Sequence, residues 1–246
     1  MEATAIGVGL AALATALATG LGALPFLVVR RPSRAWLGDS NATAAGFMLA
    51  ASLVLVWEGA AESVPGTAIG AVLGFAGIAL ARRAVRDDRH LHVGALQGAD
   101  AVKAIAIVAI MTVHSFTEGV AVGVSFGGGE GLGLFIALAI AVHNIPEGLA
   151  ISLVLVPRGA SVASAAAWGV FSSLPQPLMA LPAFAFVELF DDVLPYGLGF
   201  AAGAMTWMVA VELVPDARET APLRRVAVVL AVAFAAMMAL QALLPH

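Results

Sequence analysis

Two short segments of an otherwise apolar chain each carry a histidine and a glutamate four residues apart. One reads HSFTEG, with His114 and Glu118, and the other reads HNIPEG, with His143 and Glu147. Residues four apart lie on one face of a helix, one turn apart, so each segment presents an imidazole and a carboxylate in the same direction. Two imidazoles and two carboxylates are a ligand set that suits a borderline divalent cation such as Zn²⁺.

The two segments lie on neighbouring apolar stretches, joined by the glycine-rich loop GGGEGLG at 127–133. At 1.5 Å per residue, all four side chains fall about 18 to 26 Å along the helices from the middle of that loop. They therefore lie at a similar depth and converge if both faces turn inward. One such residue could simply hydrogen-bond across a helix interface, but two matched pairs on adjacent antiparallel helices favour a metal site. A carboxylate at the bilayer centre costs at least about 2.5 to 3.5 kcal/mol, which a divalent ion would offset.

Pro146 lies between the histidine and the glutamate of the second segment. Proline has no N–H, so the carbonyl of Val142 loses its helical donor, and the sequence predicts a kinked or broken helix at this point. A broken helix at membrane depth is tolerated where it lines a cavity, and the freed carbonyl could face a cation.

The composition indicates that these helices lie in a membrane. Of 246 residues, 61% are hydrophobic and only 11% are charged, whereas soluble domains carry about 25% charge. Cysteine is absent, which excludes thiolate ligands and disulfides, and the net charge of -4 gives no indication of a nucleic-acid partner. We predict an all-α polytopic membrane protein with one transmembrane domain over 1–246. Its eight spans lie near 3–29, 41–62, 66–81, 99–126, 131–156, 160–188, 193–214 and 223–244.

The basic residues predict an orientation. All twelve follow odd-numbered spans: Arg30, Arg31, Arg34, Arg82, Arg83, Arg86, Arg89, Lys103, Arg158, Arg218, Arg224 and Arg225. The even connections carry acidic residues and no basic ones. The positive-inside rule then places both termini outside, in a multi-pass protein of the plasma (inner) membrane.

One internal similarity suggests a repeat. AAGFM at 44–48 opens span 2, and AAGAM at 201–205 lies in span 7. With eight spans these two run in opposite directions, as expected if spans 1–3 and 6–8 form an inverted repeat around a central hairpin of spans 4 and 5.

HSFTEG and HNIPEG, on consecutive spans, resemble the ZIP (Zrt/Irt-like) family of divalent metal permeases, of the prokaryotic type. AAGFMLAAS resembles the second span of that family, SSLPQPLMALPAF the sixth and GFAAGAMTWMVAVELVPDA the seventh, so the resemblance covers essentially the whole chain. It implies a mobile transport bundle of spans 1, 4, 5 and 6, and a scaffold of spans 2, 3, 7 and 8 that forms a homodimer in many members.

The resemblance also implies metal ligands. The principal site matches His114, Glu118, His143 and Glu147, while positions used for further ligands match Ser115, Asn144, Gln176 and Met48. Ser115 and Thr117 stand where the family commonly has Asn and Pro, and Gln176 is neutral where some members are acidic. We therefore expect one strong site and a weaker second one. Without the resemblance, Met48 reads as core packing.

These observations predict a secondary transporter that moves Zn²⁺, or alternatively Fe²⁺, Mn²⁺ or Cd²⁺, into the cytoplasm without a prosthetic group. Its partners are the ion and the lipid bilayer. A gated channel with the same site is the alternative, and an intramembrane metalloenzyme is a further one, although the sequence has no HExxH. Glu212, near the inner end of span 7, is either an accessory ligand on the exit path or an ordinary interfacial carboxylate.

Overall fold

Helices account for nearly all of the computed structural model, which describes residues 4–29, 34–87 and 99–243 and has no strand among them. The α-helices are α1 Ala5–Leu21, α2 Arg34–Asp87, α3 Ala99–Gly127, α4 Glu130–Leu155, α5 Val162–Ser173, α6 Pro175–Leu189, α7 Leu194–Met208, α8 Val214–Thr220 and α9 Leu223–Gln241. Short 3₁₀ turns cover Leu24–Leu27, Val156–Arg158 and Asp191–Val193, and a π-helical turn covers Val209–Leu213. Between α3 and α4, Gly129 takes a φ of 122°, a conformation that favours glycine.

Several of these helices are long and apolar enough to cross a bilayer. Within the described residues there are six such segments: Ala5–Leu27, Ala35–Leu80, Glu130–Arg158, Val162–Leu189, Leu194–Thr220 and Leu223–Gln241. The prediction of an all-helical chain with multiple spans is confirmed. Residues 3 and 244, at the limits of the first and last predicted spans, lie outside the described residues, as do Arg30, Arg31 and Arg89.

Two long helical segments are interrupted. Within α2, Ser63 has φ −158° and ψ 105°, which is extended backbone, and its hydroxyl accepts the N–H of Gly66 at 3.2 Å as the chain turns into the next helical piece. Leu174 separates α5 from α6, and Pro175 follows it. Pro65 likewise follows Ser63. Proline favours the first turn of a helix, where its missing N–H leaves nothing unsatisfied, so both breaks have a local cause.

The π-helical turn is a wider interruption that keeps the chain helical. The N–H of Val214 bonds to the carbonyl of Val209, five residues back, instead of four. Pro215 comes next and offers no N–H to the carbonyl of Val211, which favours an irregular turn at this point.

The sequence predicts a kinked or broken helix at Pro146, and the helix is not broken there. Helix α4 runs without interruption from Glu130 to Leu155, with Pro146 buried inside it. Proline removes one helical hydrogen bond, and dense packing on both sides of a buried position holds the remaining turns in place.

The helices pack in two groups. In the first group, α1 packs against α4, α5 and α6, and α3 packs against α4 and α6. In the second group, α2 packs against α7, α8 and α9. The groups meet mainly where α2 touches α4 and where α7 touches α3. Both His-x-x-x-Glu segments therefore lie in the first group, on α3 and α4.

Candidate metal centre

Three of the four principal predicted ligands come together between α3 and α4. Each of Glu118, His143 and Glu147 offers a ligand atom, and these atoms lie within 4.8 Å of one another. His143 Nε2 is 3.2 Å from Glu118 Oε1 and 3.2 Å from Glu147 Oε1. All three side chains are buried.

These spacings match those of a small divalent ion. Zinc binds imidazole nitrogen and carboxylate oxygen at about 2.0 to 2.2 Å, so the corners of a tetrahedral site lie about 3.3 to 3.6 Å apart. The two measured separations of 3.2 Å are close to that edge length. The third separation, between the two carboxylate oxygens, is no more than 4.8 Å, so one ion can approach all three atoms.

The charges of the cluster also call for a cation. Glu118 is fully buried and Glu147 is 6% exposed, so two carboxylates share one buried site. His143 has a single N–H at Nε2 to offer, and it cannot point at both oxygens with good geometry. Buried carboxylates of like charge are costly unless paired, and a divalent ion neutralises both at once.

His114, the fourth predicted ligand, points to a different partner. Its Nε2 lies 2.6 Å from Glu212 Oε2, on the π-helical turn of the second group. His114 and Glu212 nevertheless line the same cavity as His143 and Glu147, a space of about 40 Å³ that is large enough for water or an ion. The pair is therefore a polar contact between the two helix groups, beside the three-residue cluster.

The remaining predicted residues lie around the cluster. Asn144 and Gln176 are buried and hydrogen-bond to each other and to Thr15 of α1. Ser115 is buried, and its hydroxyl has no hydrogen-bond partner among the described residues. Met48 is fully buried in the main apolar core, as its packing interpretation predicts.

Thr15 and Asp216 are among the contributors that the sequence did not predict. Thr15 holds Asn144 through its backbone carbonyl, and Asp216 lines the cavity with Glu212. The sequence offers one indication that Thr15 faces other helices: Thr15 and Thr19 lie four residues apart in an apolar span, on one helix face. Asp216 follows Pro215 near the end of a span, where charged residues are common, so its position gave no signal.

Together, these features define a multi-pass helical membrane protein whose buried centre carries the donor atoms for a divalent cation. The ZIP zinc transporter family model matches residues 81–242 of this chain. The chain belongs to that family.

Individual relatives agree with this assignment. A protein of Arabidopsis thaliana provisionally named a zinc transporter is 46% identical over 239 residues, which is 96% of this chain and 38% of that longer protein. Zinc transporter GufA of Myxococcus xanthus is 34% identical over 228 residues, 86% of this chain and 89% of the relative. Human zinc transporter ZIP11 is 35% identical over 128 residues, 47% of this chain and 35% of the relative. The chain thus spans nearly all of the bacterial relative and a minor part of the two eukaryotic ones.

Proposed function

We propose that this chain is a transporter that carries divalent metal ions, Zn²⁺ foremost, across a membrane into the cytoplasm. The observation that carries the proposal is the buried cluster in which His143 Nε2 lies 3.2 Å from one oxygen of Glu118 and one of Glu147. The names of the relatives support Zn²⁺ as the cargo and transport as the activity. Fe²⁺, Mn²⁺ and Cd²⁺ are alternative cargoes because imidazole and carboxylate ligands accept several first-row and related ions.

The decisive experiment measures metal uptake by the purified chain in proteoliposomes. We expect saturable entry of Zn²⁺ and compare it with Mn²⁺, Fe²⁺ and Cd²⁺, with the Glu147→Ala variant as the site control. Uptake that does not saturate would favour the alternative of a gated channel. Absence of uptake for all four ions would refute transport, and hydrolysis of a peptide substrate would favour an intramembrane metalloenzyme.

Glu118, His143 and Glu147 form the proposed principal site, and His114 with Glu212 a second station on the exit path. Among the accessory ligands, Ser115 is supported by its buried hydroxyl without a partner. Met48 remains a proposed sulfur ligand with weaker support, because it lies in the apolar core. Asn144 is supported by its buried Oδ1, which also has no hydrogen-bond partner among the described residues. Gln176 is supported only by its contact with Glu118.

The exit role of Glu212 gives a specific prediction. Glu212→Gln keeps the size of the side chain and removes its charge, so an ion leaving His143 and Glu147 loses an attractive carboxylate. We expect zinc uptake to fall about 10-fold, the size of effect seen when a partner outside the ligand set is removed. Zinc affinity of the principal centre should change much less, because the contact of Glu212 at 2.6 Å is with His114, outside the three-residue cluster.

The matched control is Glu219→Gln, which removes an exposed carboxylate from the same end of the chain, on α8. Uptake by this variant should equal that of the unmodified chain. Equal uptake by both variants would assign Glu212 to an ordinary structural role.

The proposed architecture has eight spans and an inverted repeat. Two features support a count of eight spans rather than six. The extended residue Ser63 divides α2 into two spans, and α3 has 29 residues, enough to cross a bilayer. The repeat is supported by the two similar motifs. A Cβ at Gly46 would overlap the carbonyl of Leu230 in α9, and a Cβ at Gly203 would overlap that of Ala71 in α2. A twofold relation that exchanges spans 2 and 7 also exchanges spans 8 and 3, so these contacts are equivalent.

The proposed setting is the plasma (inner) membrane, with both termini outside. The positive charges at odd connections support this orientation. Arg225 Nε lies 2.8 Å from Asp39 Oδ1, and this ion pair joins two helix ends that the proposed orientation places on the cytoplasmic side. The cavity beside the cluster is also lined by Asn41 and Asp216, near the same side, which supports release inward.

A homodimer is supported by the family resemblance alone, and light scattering of the detergent-solubilised protein tests it.

A further inference from the structure

A chain of buried hydrogen bonds connects α1 to the metal centre. Asn144 Nδ2 donates to the backbone carbonyl of Thr15 at 2.7 Å and to Gln176 Oε1 at 3.1 Å. Gln176 Nε2 in turn donates to Glu118 Oε2 at 2.7 Å. The chain thereby joins four helices, α1, α4, α6 and α3, and all its side chains are buried.

The direction of every bond in this chain is fixed by its two ends. A backbone carbonyl can only accept, so the atom of Asn144 that faces Thr15 is the amide nitrogen. The second hydrogen of that nitrogen requires an acceptor, which turns Oε1 of Gln176 toward Asn144. The amide nitrogen of Gln176 is then left facing Glu118, and it donates to the carboxylate.

This arrangement gives the two oxygens of Glu118 different roles. Oε2 is held by Gln176, and Oε1 faces His143 Nε2 at 3.2 Å. The carboxylate therefore presents one oxygen to an ion beside His143. On its other side stand the amide hydrogens of Gln176, which carry partial positive charge and do not bind a cation.

The backbone is built to bring Gln176 this close. Gln176 lies in the first turn of α6, directly after the break at Leu174. Glycine follows Glu118 on α3, and a Cβ at Gly119 would overlap the carbonyl oxygen of Gln176. The two helices can approach only because that position has no side chain.

We infer that Gln176 is a positioning residue, which holds Glu118 by one oxygen and restricts the centre to a single ion. The inference deepens the proposed function and rests on it. It takes Gln176 out of the set of direct ligands and gives the buried Thr15 carbonyl a role in fixing the amide.

Two variants test the inference through zinc binding to the purified protein in detergent, measured by titration calorimetry and metal analysis. Gln176→Leu removes the hydrogen bond from Gln176 to Glu118, which we call the clamp. We expect the dissociation constant for zinc to rise about 10- to 100-fold. In proteoliposomes the concentration for half-maximal uptake should rise with it, while the maximal rate changes little. Gln176→Glu keeps the shape and places a second carboxylate against Glu118, so bound zinc should rise from one ion per chain to two.

The matched control is Ser173→Ala. Ser173 is buried at the same helix junction and also contacts α1, with its hydroxyl 2.7 Å from that of Thr19, but it does not touch Glu118 in any described contact. We expect this variant to bind one zinc ion with unchanged affinity. A general packing defect would instead affect Ser173→Ala and Gln176→Leu alike.

The outcomes separate the inference from the proposed function. Two ions bound by the unmodified chain, unchanged affinity in Gln176→Leu, or a single ion in Gln176→Glu would each overturn the clamp. If the unmodified chain binds zinc and loses it on Glu147→Ala, the principal site stands even when the clamp fails. If the unmodified chain binds no zinc, the proposed function itself fails.

Discussion

Replacing His143 or Glu147 by alanine is expected to abolish zinc uptake while the protein still inserts into the membrane. Each variant deletes one of three donor atoms that lie within 4.8 Å of one another. Loss of a residue that only hydrogen-bonds to a metal ligand lowers metal affinity or activity by about 10- to 100-fold, so loss of a direct ligand should lower it further. Uptake of radioactive zinc by proteoliposomes should fall to the level of empty vesicles.

His114→Ala should have a smaller effect, and this difference distinguishes the structure from the sequence prediction. Helical spacing alone makes His114 equivalent to His143, whereas in the structure its Nε2 lies 2.6 Å from Glu212. If His114 acts on the exit path, zinc binding should persist in His114→Ala while transport slows. Equal loss of binding in the His114 and His143 variants would restore the four-ligand site.

Ser152→Ala is the control for these variants. Ser152 is buried on the same helix as His143, and its hydroxyl bonds to the carbonyl of Gly148 at 2.7 Å, away from the cluster. Its removal should leave uptake unchanged. Near-normal uptake by both His143→Ala and Glu147→Ala would refute the site assignment.

The convergence of Glu118, His143 and Glu147 could be predicted from the sequence because it depends on regular geometry. Four-residue spacing fixes the helix face, and counting residues from the loop fixes the depth. The membrane setting could be predicted from composition, because 11% charged residues is well below the share of about 25% that soluble domains carry.

The partner of His114 could not be predicted, because it depends on how two distant helices pack. Glu212 reaches His114 from a π-helical turn at Val209–Leu213, and helical spacing does not show which regular helix will widen. Pro215 is a local cause that can be recognised once the turn is known. Pro146 carried the same local signal, yet α4 continues through it, so tertiary packing decides between the two outcomes.

The series of hydrogen bonds from Thr15 to Glu118 could not be predicted from the sequence, for another reason. Its anchor is a backbone carbonyl, which every residue possesses, so no residue type marks it. Gln176 was noticed only as a neutral residue at a position that is acidic in some relatives. Its contact of 2.7 Å with Glu118 requires the close approach of α6 to Gly119, which the sequence does not reveal.

Gly148→Ala is expected to destabilise the protein strongly. A Cβ at this position would overlap the backbone carbonyl oxygen of Thr19, which cannot rotate away as a side chain can. Overpacking typically costs about 1 to 3 kcal/mol, and a clash with backbone belongs at the upper end of that range. For a chain of this size the melting temperature should fall by about 5 to 10 °C, measured by thermal unfolding in detergent.

Gly9→Ala on α1 is the matched control, because its Cβ would meet only side-chain atoms of Leu181, the nearest at 3.5 Å, which is an ordinary contact. Its melting temperature should be unchanged or slightly raised, since alanine favours helix. The Gly148 variant should also bind zinc more weakly than its control. The methyl group pushes α1 away from α4, and the bond from Asn144 to the Thr15 carbonyl joins those same helices. A Gly148→Ala protein that melts and binds zinc like the unmodified chain would show that α1 and α4 do not approach as closely as this contact requires.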